Sequence, residues 1–185
     1  MKALIVYGTR YGATAGTALK IGVVLQKEGF DVKVVDLKEE TIRSISSYEL
    51  IIVGSGMQIG RWTGEAEDFL KSYHHEMGKK KVALFVSTMK TVSEREGKTD
   101  DLKKARKLDL EDKAVKYNLQ PLGMGFFGGI LDFNKMNLVT RKTFGFIKPQ
   151  LEKDGIKETE PGVYDLRNWD EIIAWTKDLA KKAKE

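Results

Sequence analysis

The fold is decided by the stretch Ala3-Leu4-Ile5-Val6-Tyr7-Gly8-Thr9-Arg10-Tyr11-Gly12-Ala13-Thr14. Its first part is apolar, its second part is rich in glycine and threonine, and an amphipathic segment begins at Ala15. This order predicts a β-strand, a tight turn and the start of an α-helix. Such a turn presents unpaired backbone N–H groups, the positive end of the helix dipole and threonine hydroxyls to one point. Residues 8–14, the phosphate loop, are therefore predicted to bind a phosphate group.

The distribution of acidic residues agrees with this prediction. Helix first turns usually collect Asp and Glu, yet no carboxylate occurs between Thr9 and Lys27. The chain itself therefore supplies no anion at this position. An alternative that stays open is a tight connection between strand and helix that binds no ligand.

Other phosphate-binding motifs do not match. A P-loop needs Gly-Lys-Ser/Thr where this chain has Ala13-Thr14. The pattern Gly-x-Gly-x-x-Gly occurs at residues 123–128, but within a predicted strand and not before a helix, so it is a chance match. Asp36 stands where a Rossmann domain has its ribose-binding acid, although the upstream glycines are missing. A phosphorelay receiver domain is excluded because it needs acids where residues 8–9 and 54–55 are Gly-Thr and Gly-Ser.

Composition indicates one domain over residues 1–185, with 41% hydrophobic and 32% charged residues. There is no apolar run of the roughly 20 residues that a spanning helix needs, so we expect a soluble, cytoplasmic protein. The absence of cysteine removes thiolate and iron–sulfur chemistry and leaves redox chemistry to an organic cofactor. His74 and His75 are adjacent and have no spaced partner, so no metal site is predicted.

Predicted strands and helices alternate along the chain. Near-continuous Val, Ile and Leu runs, such as residues 50–53, are typical of strands buried on both faces, and the helices between them provide the crossovers of a parallel sheet. The pattern therefore predicts a doubly wound α/β fold, with Asn168 as the N-cap of the last helix. The strands are predicted at residues 3–7, 31–37, 49–54, 81–87 and 122–129, and the helices at 13–28, 63–77, 101–118 and 169–182.

Two more loops follow strands at the edge where such sheets bind ligands. The glycine-rich loop (residues 54–63) allows close backbone approach, and its Ile59 and Trp62 offer apolar or flat surface to an aromatic ring system. The polar loop (residues 87–91) begins with Ser87 and Thr88, which suit a sugar-like chain or the edge of a ring. Phosphate, polyol and ring are thus predicted on three successive loops.

The phosphate loop, with Thr9-Arg10-Tyr11-Gly12-Ala13-Thr14, resembles that of the flavodoxins, and the two later loops correspond to the loops that flank the flavin ring. This resemblance implies FMN as cofactor and a flavodoxin-like, doubly wound, five-stranded parallel sheet in the order 2-1-3-4-5. The chain resembles more closely the branch that contains the menaquinone-dependent protoporphyrinogen oxidases. There the phosphate loop reads Thr-Arg-x-Gly-x-Thr, a signature similar to Ile52-Val53-Gly54-Ser55 and Gly60 occurs, and an insertion, here residues 132–165, separates the fifth strand from the last helix.

The resemblance also implies the roles of the site residues. No catalytic side chain is predicted, because the flavin carries the chemistry. The phosphate is assigned to Thr9, Arg10, Gly12 and Thr14, the ring surroundings to Met57, Gln58, Ile59 and Trp62, and the ribityl chain or ring edge to Ser87 and Thr88. The predicted cofactor site also includes Tyr11, Ala13 and Met89.

Charge favours an enzyme over a carrier. Electron-carrier flavodoxins are typically acidic, whereas this chain has a net charge of +5. We therefore expect an FMN-dependent oxidoreductase acting on a quinone or a porphyrinogen-like substrate; the alternative is an electron carrier between redox proteins. No nucleic-acid partner is expected, because acidic residues intersperse the lysine clusters.

The insertion is basic and apolar at once, which predicts an amphipathic flap over a substrate. The alternatives are a solvated cover whose apolar residues pack on the domain, and a peripheral contact with an anionic membrane surface. Its basic residues include Lys135, Arg141, Lys142, Lys148 and Lys153, and its apolar residues include Phe133, Met136, Val139, Phe144, Phe146, Ile147 and Leu151.

Overall fold

The computed structural model describes residues 1–58, 60–91, 99–136, 141–142 and 145–185, without the side chains of Gln58, Phe146 and Gln150. The strands are β1 (Lys2–Gly8), β2 (Asp31–Asp36), β3 (Leu50–Gln58), β4 (Arg61–Trp62), β5 (Lys81–Thr88), β6 (Gly123–Gly128), β7 (Ile130–Asp132), β8 (Glu158–Glu160) and β9 (Val163–Asp165). The helices are α1 (Ala13–Lys27), α2 (Gly64–Met77), α3 (Thr99–Arg106), α4 (Asp112–Lys116), α5 (Lys148–Lys153) and α6 (Trp169–Lys184).

The main sheet has the order β2-β1-β3-β5-β6, and these strands are all parallel to their neighbours. With the short β4 left aside, this is the predicted order 2-1-3-4-5, so the flavodoxin-like fold is confirmed. β4 pairs antiparallel with the end of β3 and lies off the main path.

Helices cover both faces of the sheet. Alternate residues of β1 point to opposite faces, with Leu4 and Val6 in one core and Ile5 in the other. The first core contains residues of α2, α3 and α4, and the second contains residues of α1 and α6. This arrangement explains why the strand sequences are apolar without alternation.

Two predicted elements differ from the structure. β3 was expected to end at Gly54 but continues to Gln58 and forms a hairpin with β4, so much of the glycine-rich loop is strand. The helix expected over residues 101–118 is interrupted: α3 is followed by a π-helical turn, Lys107–Glu111, before α4 begins. At the last helix the prediction is confirmed, because the Asn168 side chain accepts a hydrogen bond from the Glu171 N–H at 3.2 Å.

The segment between β6 and α6 has a small core of its own. β7, β9 and β8 form an antiparallel sheet in that order, and Tyr164 of β9 is fully buried in one core with Phe133 and Leu151. Met136 and Ile147 pack against this core, whereas Val139 and Phe144 lie outside the described residues. No large apolar side chain is exposed in the described part of residues 130–166, which agrees with a packed cover and gives the membrane alternative no support.

Candidate functional site

The register of the sheet brings the three predicted loops to one edge. Gly8 of β1 lies beside Ser55 of β3, and Gly56 lies beside Ser87 of β5. The strands therefore end at a similar level of the sheet, and their loops surround a cavity of about 630 Å³, a volume that includes space open to solvent. Its lining residues are Thr9, Arg10, Tyr11, Ala13, Thr14, Gly56, Met57, Thr63, Ser87, Thr88, Met89, Gly129, Ile130, Leu131 and Met136.

The start of α1 has the features of an anion site. Gly12 is the N-cap, with a left-handed φ of 87°, and it provides no side chain to cap the helix. Its own N–H donates to the Thr9 hydroxyl oxygen at 3.1 Å, which closes the turn. The first turn of α1 contains no acidic residue, so its free N–H groups face the cavity edge without an intrinsic anion.

Ser87 and Thr88 supply buried polar groups at the same cavity. They are 5% and 3% exposed, and the Ser87 hydroxyl has no hydrogen-bond partner among the described residues. A buried hydroxyl without a partner costs free energy unless a ligand satisfies it. This orphaned group therefore fits a ligand with polar atoms in the cavity.

Close backbone approach shapes the cavity floor. A Cβ atom on Gly56 would lie 3.1 Å from the Thr14 hydroxyl oxygen, and one on Gly8 would lie 1.9 Å from that of Thr63. The Thr63 N–H donates to the Ser55 hydroxyl at 2.9 Å, which fixes this contact. Glycine at these positions keeps the phosphate loop and the glycine-rich loop in direct contact.

The structure brings most of the predicted site residues together. Gly12 shapes the phosphate loop, and the side chain of Gln58 and all of Ile59 lie outside the described residues. Trp62 lies elsewhere: its ring is 7% exposed, and its indole N–H donates to the Asp109 carbonyl at 2.7 Å. The predicted residues that line the cavity are Thr9, Arg10, Tyr11, Ala13, Thr14, Met57, Ser87, Thr88 and Met89.

Trp62 instead borders a second cavity, of about 680 Å³, which shares Met57 with the first. Glu67 lies in this second cavity and is bonded by Lys113, Lys116 and the Tyr117 hydroxyl. Burial alone raises the pKa of Glu67, but these hydrogen bonds outweigh it and hold the pKa at about 2. The carboxylate is therefore charged at neutral pH and is neutralised by the two lysines.

Several cavity residues were not predicted. Gly129, Ile130 and Leu131 follow the carboxyl end of β6, so the rule that identified the other loops also applies to them. Met136 was predicted only as one of several apolar residues of the flap, because its place at the cavity depends on how the segment after β7 folds back. Together these residues add an apolar wall to a cavity that is otherwise polar on the side of the phosphate loop.

Comparison with known proteins identifies the family. The sequence model of the flavodoxin domain matches residues 4–157. The chain belongs to the flavodoxin family. FMN is the cofactor that this assignment implies, and the acid-free start of α1 and the orphaned Ser87 hydroxyl fit its phosphate and its polar groups.

Solved flavodoxins share the fold of this chain at low sequence identity. An archaeal flavodoxin matches with a TM-score of 0.58 and 17% identity, over 100% of both chains. A short-chain flavodoxin associated with a bacterial microcompartment matches with a TM-score of 0.60 and 13% identity, over 99% of both. The flavodoxin of Streptococcus pneumonia TIGR4 matches with a TM-score of 0.56 and 15% identity, over 100% of this chain and 98% of that one. No curated protein sequence matches.

Clusters of metal ligands and membrane-spanning helices are absent from the described residues. These residues contain no group of three or more His, Asp or Glu that could hold a metal ion. None of their helices combines the length and the apolar character needed to cross a membrane.

Proposed function

We propose that this flavodoxin-family protein is an FMN-dependent oxidoreductase that exchanges electrons with a small apolar molecule, a quinone or a porphyrinogen-like compound. The apolar wall formed by Met89, Ile130, Leu131 and Met136 carries this proposal. Met136 belongs to the inserted segment, so part of the wall comes from outside the α/β core. Apolar walls of this kind exclude water and accommodate apolar molecules. The sequence resemblance to the protoporphyrinogen oxidase branch is the reason for including porphyrinogens.

The residues of the chain have distinct roles in this proposal. The free N–H groups at the start of α1 bind the phosphate, and the exposed Arg10 adds positive charge beside it. The Ser87 hydroxyl donates to or accepts from a polar atom of the cofactor. Met57 and Met89 provide apolar contacts for the ring. Bound FMN supplies the electron chemistry, and the protein supplies position and electrostatics.

An electron carrier is the second candidate. It is favoured by the end-to-end similarity to the archaeal flavodoxin, of which this chain covers 100%. Because the net charge is +5, a carrier of this type requires a redox partner with an acidic docking face.

An anaerobic reduction titration distinguishes the two candidates. The purified protein is supplied with FMN, and its visible spectrum is followed during stepwise reduction and after addition of a water-soluble quinone. The enzyme proposal expects a single two-electron stage and reoxidation that saturates with quinone concentration. Two resolved one-electron stages without quinone turnover would support the carrier, and failure to bind FMN would refute both.

The polar variant Met136→Gln tests the apolar wall at similar side-chain volume. If the wall holds the substrate, the KM for quinone rises while FMN remains bound. An unchanged KM would contradict the role given to the wall.

A further inference from the structure

We propose that Asp109 is a positioning residue that fixes the separation of the two loops on either side of the predicted ring site. Its side chain bonds Lys90 of the polar loop, and its backbone carbonyl bonds Trp62 of the glycine-rich loop. One residue thus connects the polar loop to the hairpin of β3 and β4 through side-chain and backbone contacts outside the sheet ladder. The consequence for FMN rests on the proposed function, whereas the contacts themselves do not.

The contact with Lys90 is an ion pair in which only the carboxylate is buried. The Lys90 ammonium donates to both carboxylate oxygens of Asp109, at 2.8 and 3.0 Å. Asp109 is 2% exposed and Lys90 is 38% exposed, so the carboxylate depends on this cation for its compensation. The Lys90 N–H also donates to the Thr88 hydroxyl at 3.2 Å, which connects the pair to a residue that lines the cavity.

Asp109 also contacts the glycine-rich loop, through Trp62. The indole N–H donates to the Asp109 carbonyl at 2.7 Å, and the buried ring packs in the core beneath. Trp62 pairs with Met57 in the hairpin of β3 and β4. Any movement of the Asp109 backbone is therefore transmitted to Met57, which lines the cavity.

The local backbone at Asp109 is unusual. Asp109 lies in the π-helical turn Lys107–Glu111, which separates α3 from α4. Turns of this type fit one extra residue into a helix and are frequent at functional sites. Here the distorted turn carries the residue that contacts both loops.

We expect the connection through Asp109 to make the two loops beside the predicted ring site move together. Met57 and Met89 stand on the two loops that Asp109 connects. Loss of the connection lets the loops separate independently, which weakens apolar contact with a ring between them and changes its surroundings. Because the electronics of a bound flavin respond to the groups around it, its reduction potential should shift as well.

Hydrogen exchange of the FMN-free protein tests the connection directly. Two amides report on the loops: the Thr63 N–H, which donates to Ser55 at 2.9 Å, and the Gly129 N–H, which donates to the Thr88 carbonyl at 3.0 Å. In Lys90→Met we expect exchange at both amides to accelerate about tenfold, although Lys90 has no hydrogen bond to Thr63. The double variant Lys90→Met with Asp109→Leu removes the ion pair without leaving a buried unpaired carboxylate. Exchange at both amides should accelerate in this variant as well.

The matched control is Lys80→Met. Lys80 is 15% exposed and donates to the Ser46 and Tyr48 carbonyls at the opposite end of the sheet. It should leave exchange at Thr63 unchanged.

FMN titration gives the second measurement. Lys90→Met and the double variant should both bind FMN about tenfold more weakly and show a shifted reduction potential, whereas Lys80→Met should do neither. Unchanged exchange at Thr63 in Lys90→Met would overturn the proposal, as would acceleration spread over every amide, including those of β1. If exchange at Thr63 accelerates but the unmodified protein binds no FMN, the proposed function fails and the connection through Asp109 stands.

Discussion

Ala13→Glu places a carboxylate at the first residue of α1, beside the cavity that Ala13 lines. The native first turn has no acidic side chain, and its N-cap is Gly12. Compared with Gln at the same buried position, an acid there should stabilise the helix by about 0.3–1 kcal/mol through the helix dipole. The same charge should repel a bound phosphate, so the variant is expected to affect folding and FMN binding in opposite directions.

The size of the repulsion follows from the position. Two unit charges about 4 Å apart interact with roughly 4 kcal/mol at an effective dielectric constant of about 20. The cavity is open to solvent, so we halve this to about 2 kcal/mol, which corresponds to about a 30-fold increase in the Kd for FMN. The effect should shrink as salt is added, because it is electrostatic.

The control is Ala13→Gln, which has the same shape without the charge. FMN titration of the two variants at low and high salt isolates the charge, and thermal melting of the FMN-free proteins measures the helix effect. Equal affinity of the Glu and Gln variants at low salt would refute the assignment of the phosphate to the start of α1.

Three further predictions concern single residues. Ser87→Ala should raise the melting temperature of the FMN-free protein slightly, because it removes a buried hydroxyl that has no partner there, but should weaken FMN binding by about 1 kcal/mol, measured by titration. Glu67→Gln should lower the melting temperature at pH 7. That difference should vanish near pH 2, because a pKa depressed from 4.5 to about 2 contributes stability above the unfolded value and loses it as the pH falls. Gly12→Ala should lower stability by about 1 kcal/mol through its left-handed φ of 87° alone, since an added Cβ has no atom within 4 Å; a melting curve with no change would contradict this.

The alternation of apolar strands and helices was sufficient to predict a parallel sheet, and its strand order followed from the resemblance to the flavodoxins, but the end of β3 was misplaced. The glycines at 54 and 56 were interpreted as a turn. In the structure a Cβ atom on Gly54 would lie 2.1 Å from the ring of Phe85, so this glycine is needed for packing within the strand. A glycine that makes room for a neighbouring side chain and one that permits a turn look alike in a single sequence.

The interruption of the third long helix had no local signal. Residues 101–118 have the composition of one continuous helix, and the π-helical turn places Asp109 against Lys90 and Trp62. Those partners lie 19 and 47 residues away along the chain. A feature imposed by such distant contacts is not predictable from helix periodicity.

The same reasoning explains the position of Trp62. As an aromatic residue in a glycine-rich loop, it was a reasonable candidate for a contact with the ring. Its N–H requires a partner once buried, and the carbonyl of Asp109 provides one. Whether a side chain is buried with a hydrogen-bond partner depends on the tertiary structure. The positions of Ser87 and Thr88, in contrast, could be predicted from their place at the carboxyl end of a strand.

The start of α1 differs from the start of every comparable helix in the described chain. Among helices of eight residues or more, α2, α3 and α6 each carry two acidic residues in the first turn, and α1 carries none. Acids at these positions stabilise a helix by complementing its dipole. Three of these helices are stabilised by acidic residues in their first turn. The fourth, α1, lacks this stabilisation unless another anion binds at its start. The omission coincides with the glycine N-cap and with the cavity, so the missing stabilisation is best explained by the phosphate of a bound cofactor.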